Sequence, residues 1–168
     1  DNIYVTGVFG AAQPNIATTL DCVPYPISSA SGARTFLIKM APDGTVKWSQ
    51  SIAIAPGTNY PNSDLFRISG NGSDRIVITS PFMSVGPQTI GTTVIDSIGC
   101  NLFFAMTDSS GNWLKATPLS GTGTSHISMS VSMTPSGETY LGGSCNGTLT
   151  LGSAGSLSTN ATLKDFIC

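Results

Sequence analysis

Apolar and polar residues alternate along short runs of this chain, and the runs recur. Ile3-Tyr4-Val5-Thr6-Gly7-Val8-Phe9, Ile76-Val77-Ile78-Thr79-Ser80-Pro81-Phe82 and Thr139-Tyr140-Leu141-Gly142-Gly143-Ser144-Cys145 are versions of one segment. Each reads as a β-strand. Eleven or twelve residues after Phe9, Phe82 and Cys145 stand Leu20, Val94 and Leu157, each preceded by Gly, Ser or Thr. A further strand follows in each copy, at Thr35–Met40, Leu102–Met106 and Asp165–Cys168, with Phe36, Phe103 and Phe166 as aligned anchors.

After the first two of these, Pro42-Asp43-Gly44 and Asp108-Ser109-Ser110-Gly111 supply residues that tolerate positive φ, so tight hairpins lead into strands at Thr45–Trp48 and Asn112–Lys115. Strict period-two alternation places Trp48 and Trp113 on one face of that strand. One more strand, Asp64–Ser69 or His126–Val131, precedes the Ile76 and Thr139 strands. The unit is therefore four antiparallel strands. A small sheet of this kind cannot bury both faces unaided, and neighbours must cover it. Radial stacking of four-stranded blades into a β-propeller satisfies this need, and an ordinary β-sandwich of similar strands is the plainer alternative.

The order of these elements also resembles a known family. The run Asp64 to Phe82, the stretch Ser132 to Gly143 and the segment Phe36 to Trp48 are similar to the seven-bladed β-propeller repeats of secreted and surface bacterial proteins. The second copy departs from that pattern, with Pro81 and no tryptophan at the position of Trp48. The resemblance implies an extracellular or cell-surface scaffold and no particular chemistry.

The expected architecture is all-β, with about two and a half blades: residues 1–63 hold a partial blade (strands two to four), 64–125 a blade, and 126–168 a partial blade (strands one to three), together one repeat domain. Because a ring takes roughly four to eight blades, the expectation is either a part of a longer polypeptide or a filament subunit completed by strand addition at exposed edges. Protein partners, as remaining blades or neighbouring subunits, follow from either.

Composition narrows the function classes. Only 10% of residues are charged, and seven Lys plus Arg lie scattered against nine Asp plus Glu, so no basic patch exists for nucleic acid. No run approaches the ~18 apolar residues of a membrane-spanning helix, and no membrane insertion is expected. Sequons at Asn71, Asn146 and Asn160 are compatible with secretion. Cys22, Cys100, Cys145 and Cys168 are even in number and widely spaced, which suits disulfides in an oxidising compartment, a bridge between blades through Cys100 being the more natural one. Buried free thiols are the alternative.

Candidate chemistry is sparse. His126 is the single histidine, Glu138 the single glutamate, and the eight aspartates are dispersed, several in turns that explain them. No triad, carboxylate pair, metal set or phosphate loop is encoded, so no catalytic residue, metal or other cofactor is expected. The long connections, Gly10 to Arg34 and Ile54 to Ser63, share one end of the expected blades and carry Tyr25 and Tyr60 beside prolines. These tyrosines could stack on glycans or anchor a protein, or pack down as loop anchors. The expectation is a non-catalytic extracellular structural or adhesive scaffold, with a glycan-binding module and a filament subunit as alternatives.

Overall fold

The computed structural model describes residues 2–9, 19–20, 27–28, 33–55, 67–72, 75–81, 87–95, 100–122, 126–152, 155–159 and 164–168. Among them the chain is all-β, in several antiparallel sheets and without an α-helix, as expected. It divides into two compact units, Asp1–Asp64 and Leu65–Cys168.

The first unit holds a sheet in the order β1 (Ile3–Phe9), β4 (Ala33–Met40), β5 (Val46–Ala55), and a small ribbon of β2 (Thr19–Leu20) with β3 (Ile27–Ser28). In the second unit β6 (Arg67–Gly70), β7 (Arg75–Pro81), β10 (Cys100–Asp108) and β11 (Trp113–Thr122) are successive antiparallel neighbours, and β8 (Gln88–Ile90) pairs with β9 (Thr93–Ile95). A third sheet runs β12 (His126–Met133), β13 (Thr139–Cys145), β16 (Lys164–Ile167), with a ribbon of β14 (Thr148–Thr150) and β15 (Ser156–Ser158). The main strands thus number three, four and three. Each copy inserts a ribbon between the strands that carry its Ile/Thr and Phe anchors.

Two features differ from the sequence expectation. β14 pairs with the end of β11, through Gly121 with Leu149 and Thr122 with Thr148, so the ribbon extends the middle sheet to six strands. No sheet closes on itself among the described residues. The two tryptophans also lie on opposite faces. Lys39 pairs with Trp48 but Met40 with Val46, and likewise Met106 pairs with Lys115 but Thr107 with Trp113. An extra residue, Lys47 or Leu114, is inserted at the same place in both sheets, and such a bulge reverses the in/out phase of the strand. Trp48 therefore shares a face with Lys39 and Tyr4, its ring 6.0 Å from that of Tyr4, whereas Trp113 shares one with Thr107.

The hairpins follow their glycines. In Ala41–Thr45, Asp108–Asn112 and Thr134–Glu138 the fourth residue's N–H donates to the first residue's carbonyl, and the first residue's N–H donates to the fifth's carbonyl. The fourth residue is Gly44, Gly111 or Gly137, at φ of 86°, 88° and 93°, where a side chain would be strained. Asp43 and Asp108 accept backbone N–H bonds within their own turns, from Thr45 and from Ser110 and Asn112. Pro118 is accommodated inside β11 because β14 pairs only with Gly121 and Thr122, leaving no second neighbour that needs its missing N–H.

Candidate functional site

Cross-strand pairs assign two faces to every sheet. We call front the face that carries Ile3, Val5, Gly7, Phe36 and Ile38 in the first sheet, Ile76, Ile78, Ser80, Phe103 and Ala105 in the second, and Leu141, Gly143, Cys145 and Phe166 in the third. A hydrogen bond recurs behind it: Thr6 Oγ1 donates to Phe36 O at 2.7 Å, and Thr79 Oγ1 to Phe103 O at 3.0 Å. The third copy has Gly142 there. A Cβ at Gly142 would stand 3.8 Å from Phe166 O but only 2.6 Å from Ser130 Oγ, so Ser130 fills the space of the threonine side chain.

The front of the third sheet lies on the back of the second. Leu141 and Cys145 from the one, Leu102 and Leu119 from the other, and Leu149 of β14 form one buried cluster, with Leu151 and Phe166 packed against it. Met133 N donates to Ser69 Oγ at 3.1 Å across the same layers. In the second sheet Ile78, Ser80, Phe103, Ala105 and Thr107 in front, and Val77, Thr79 and Leu102 behind, are all 0% exposed. By contrast Ile3 and Val5 on the first sheet's front are 45% and 37% exposed, and Tyr140 and Ile167 on the third sheet's back are 50% and 82% exposed.

A cavity of about 270 Å³ remains between the second and third sheets, lined by Phe104, Lys115, Thr117 and Leu119 on one side, Thr139, Leu141 and Cys168 on the other, and Leu151 and Gly152 at one end. Thr139 Oγ1 is buried there without a hydrogen-bond partner. Cys168, an exposed residue, donates its Sγ–H to Leu141 O at 3.6 Å, and partial desolvation pushes its thiol above the ordinary value. Among the described residues the lining offers an apolar slot with a hydroxyl, a thiol and one ammonium, and no His, Asp or Glu. Such a slot can hold a small apolar molecule.

Elsewhere the described acids are occupied locally. Hydrogen bonds from the Asn112 side chain and from backbone N–H groups hold the Asp108 carboxyl below its usual range, and those from Thr45 do the same for Asp43. Ser144 Oγ donates to Asp165, and Ser136 Oγ to Glu138. Among the described residues no three His, Cys, Asp or Glu side chains gather where a metal could bind. His126 opens β12 opposite Cys145 in the ladder.

Of the residues singled out from sequence, Tyr25, Tyr60 and Cys22 lie outside the described residues, and Cys100 is placed only by its backbone, opposite Ser120. Cys145 and Cys168 are free thiols. The bridge between Cys100 and Cys145 suggested by the spacing is therefore not formed: Cys145, 1% exposed, serves as a small apolar residue of the cluster. The front and back faces escaped the sequence reading, although Thr6 and Thr79, at one position of the repeat, were a visible sign of them.

Comparison with protein-family models, curated proteins and solved structures finds no match for this chain.

Proposed function

We propose that this chain is a non-catalytic structural and adhesive scaffold of β-propeller-type repeats, acting outside the cell or at its surface. The supporting observation is the recurrence: three successive sheets with one strand order, one inserted ribbon and, in two of them, one Thr-to-Phe hydrogen bond, the third stacked front on back upon the second. Units that rely on neighbours for burial suit extended or ring-shaped scaffolds, and their natural partners are further sheets of the same kind. Low charge and three sequons favour the extracellular setting. Class averages from electron microscopy of the native gene product test the reading. Radially arranged sheets around a channel are expected, and a compact particle without them overturns it.

A further inference from the structure

Among the described residues one sheet face in each compact unit carries exposed apolar side chains. The first sheet exposes Ile3 and Val5 on its front, beside the buried Ile38, with Arg34 as the charged residue of β4 on that face. The third sheet exposes Tyr140 and Ile167 on its back, beside Gly142 and the buried Ser144, with Asp165 as the charged residue of β16 there. A front lying on a back is the packing already present between the third and second sheets, where the Leu141 and Cys145 face covers Leu102 and Leu119. In that packing the front residues Leu141 and Cys145 are 7% and 1% exposed, whereas their counterparts in the repeat on the first sheet include Val5 at 37%.

We propose that the front of the β1–β4–β5 sheet docks the back of the β12–β13–β16 sheet of a second copy of this chain. Two observations select that occupant. The partner face belongs to the same repeat and presents the surface that a front covers within the chain. The charges are of opposite sign, Arg34 on one face and Asp165 on the other, which fixes polarity and disfavours front-on-front pairing. The interface is heterologous, using different patches on the two copies, so it propagates head to tail into a closed ring or an open filament. This differs from strand addition at sheet edges, since the faces rather than the ladders meet. It rests on the repeat scaffold reading in taking the three sheets as equivalent units.

The test uses two variants of the full chain. Val5→Lys blocks the front at an exposed position, and Ile167→Lys blocks the back at another, so neither disturbs a buried residue. Light scattering on wild type is expected to give a mass rising with concentration up to roughly 1 mM. Each variant alone is expected to stay at the monomer mass of 17.3 kDa. An equimolar mixture is expected to form a dimer and stop, because only one intact front and one intact back remain. Far-ultraviolet circular dichroism confirms that both variants keep their sheets. The inference is overturned by a wild type that remains monomeric, by variants that associate as wild type does, or by a mixture that fails to dimerise. Any of these leaves the scaffold reading standing, because that reading is judged by the images of the native gene product.

Discussion

Leu102→Ala probes the layer that joins the second and third sheets. Leu102 is 0% exposed and touches the cluster of Leu119, Leu141, Cys145 and Leu149. Truncation removes the equivalent of three methylene groups, about 0.8 kcal/mol each, and leaves a cavity whose cost brings the total to about 3 kcal/mol. That corresponds to about a 150-fold loss in the folding equilibrium. The residue belongs to the compact unit Leu65–Cys168, a size for which each kcal/mol shifts the melting midpoint by ~4 °C or more, so a drop of at least about 12 °C is expected. Urea and thermal unfolding followed by Trp113 fluorescence in a Trp48→Phe background measure it. Leu114→Ala is the control: the same truncation on the neighbouring strand at 53% exposure, expected to change stability by no more than about 0.5 kcal/mol. A loss below about 1 kcal/mol for Leu102→Ala, or losses equal at the two sites, would refute the assignment of a packed front-on-back core.

Gly44→Ala places a side chain at φ +86° in open space and is expected to cost about 1 kcal/mol through the backbone alone. Gly91→Ala adds to a similar strain a Cβ 2.8 Å from Trp113 Cβ, so its larger loss and a shift in Trp113 emission distinguish packing from backbone cost. The lowered Asp108 carboxyl contributes stability above its unfolded value and loses it as pH falls through the depressed folded value, so Asp108→Ala is expected to differ most from wild type near neutrality and progressively less as pH falls through that lowered value in urea titrations. Alkylation of the native protein followed by peptide mapping is expected to label Cys168 and spare Cys145 until unfolding, and early labelling of Cys145 would remove it from the core. Tyr25→Ala with Tyr60→Ala is expected to leave binding on a glycan array unchanged; loss of binding with intact folding would favour the glycan-binding alternative.

Most of the main strands were legible in the sequence because each carries its own signal. The Thr139–Cys145 strand ends where expected, and Gly44, Gly111 and Gly137 mark turns that no other residue forms as easily. What the pattern concealed was cooperative. The ribbon strands are two or three residues long and as polar as Gln88-Thr89 or Ser156-Leu157-Ser158, too short for periodicity to register. Strand β5 runs on to Ala55 through its pairing with β4, and β11 runs on to Thr122 through β10 as far as Ser120 and then through β14. The bulge at Lys47 and Leu114 reversed the faces assigned to Trp48 and Trp113, since an inserted residue leaves no trace in composition. Little of the candidate site was legible: the exposure of Ile3, Val5, Tyr140 and Ile167 and the cavity between the second and third sheets depend on how strands pair and stack, which no local pattern records.

The stacking of equivalent sheets is tested most directly by nuclear Overhauser contacts between selectively labelled methyl groups in the folded chain. Leu141 and Leu149 are expected to show cross-peaks to Leu102 and Leu119, joining the front of the third sheet to the back of the second. Contacts confined to each sheet's own strands, with none between Leu141 and Leu102 or Leu119, would contradict it.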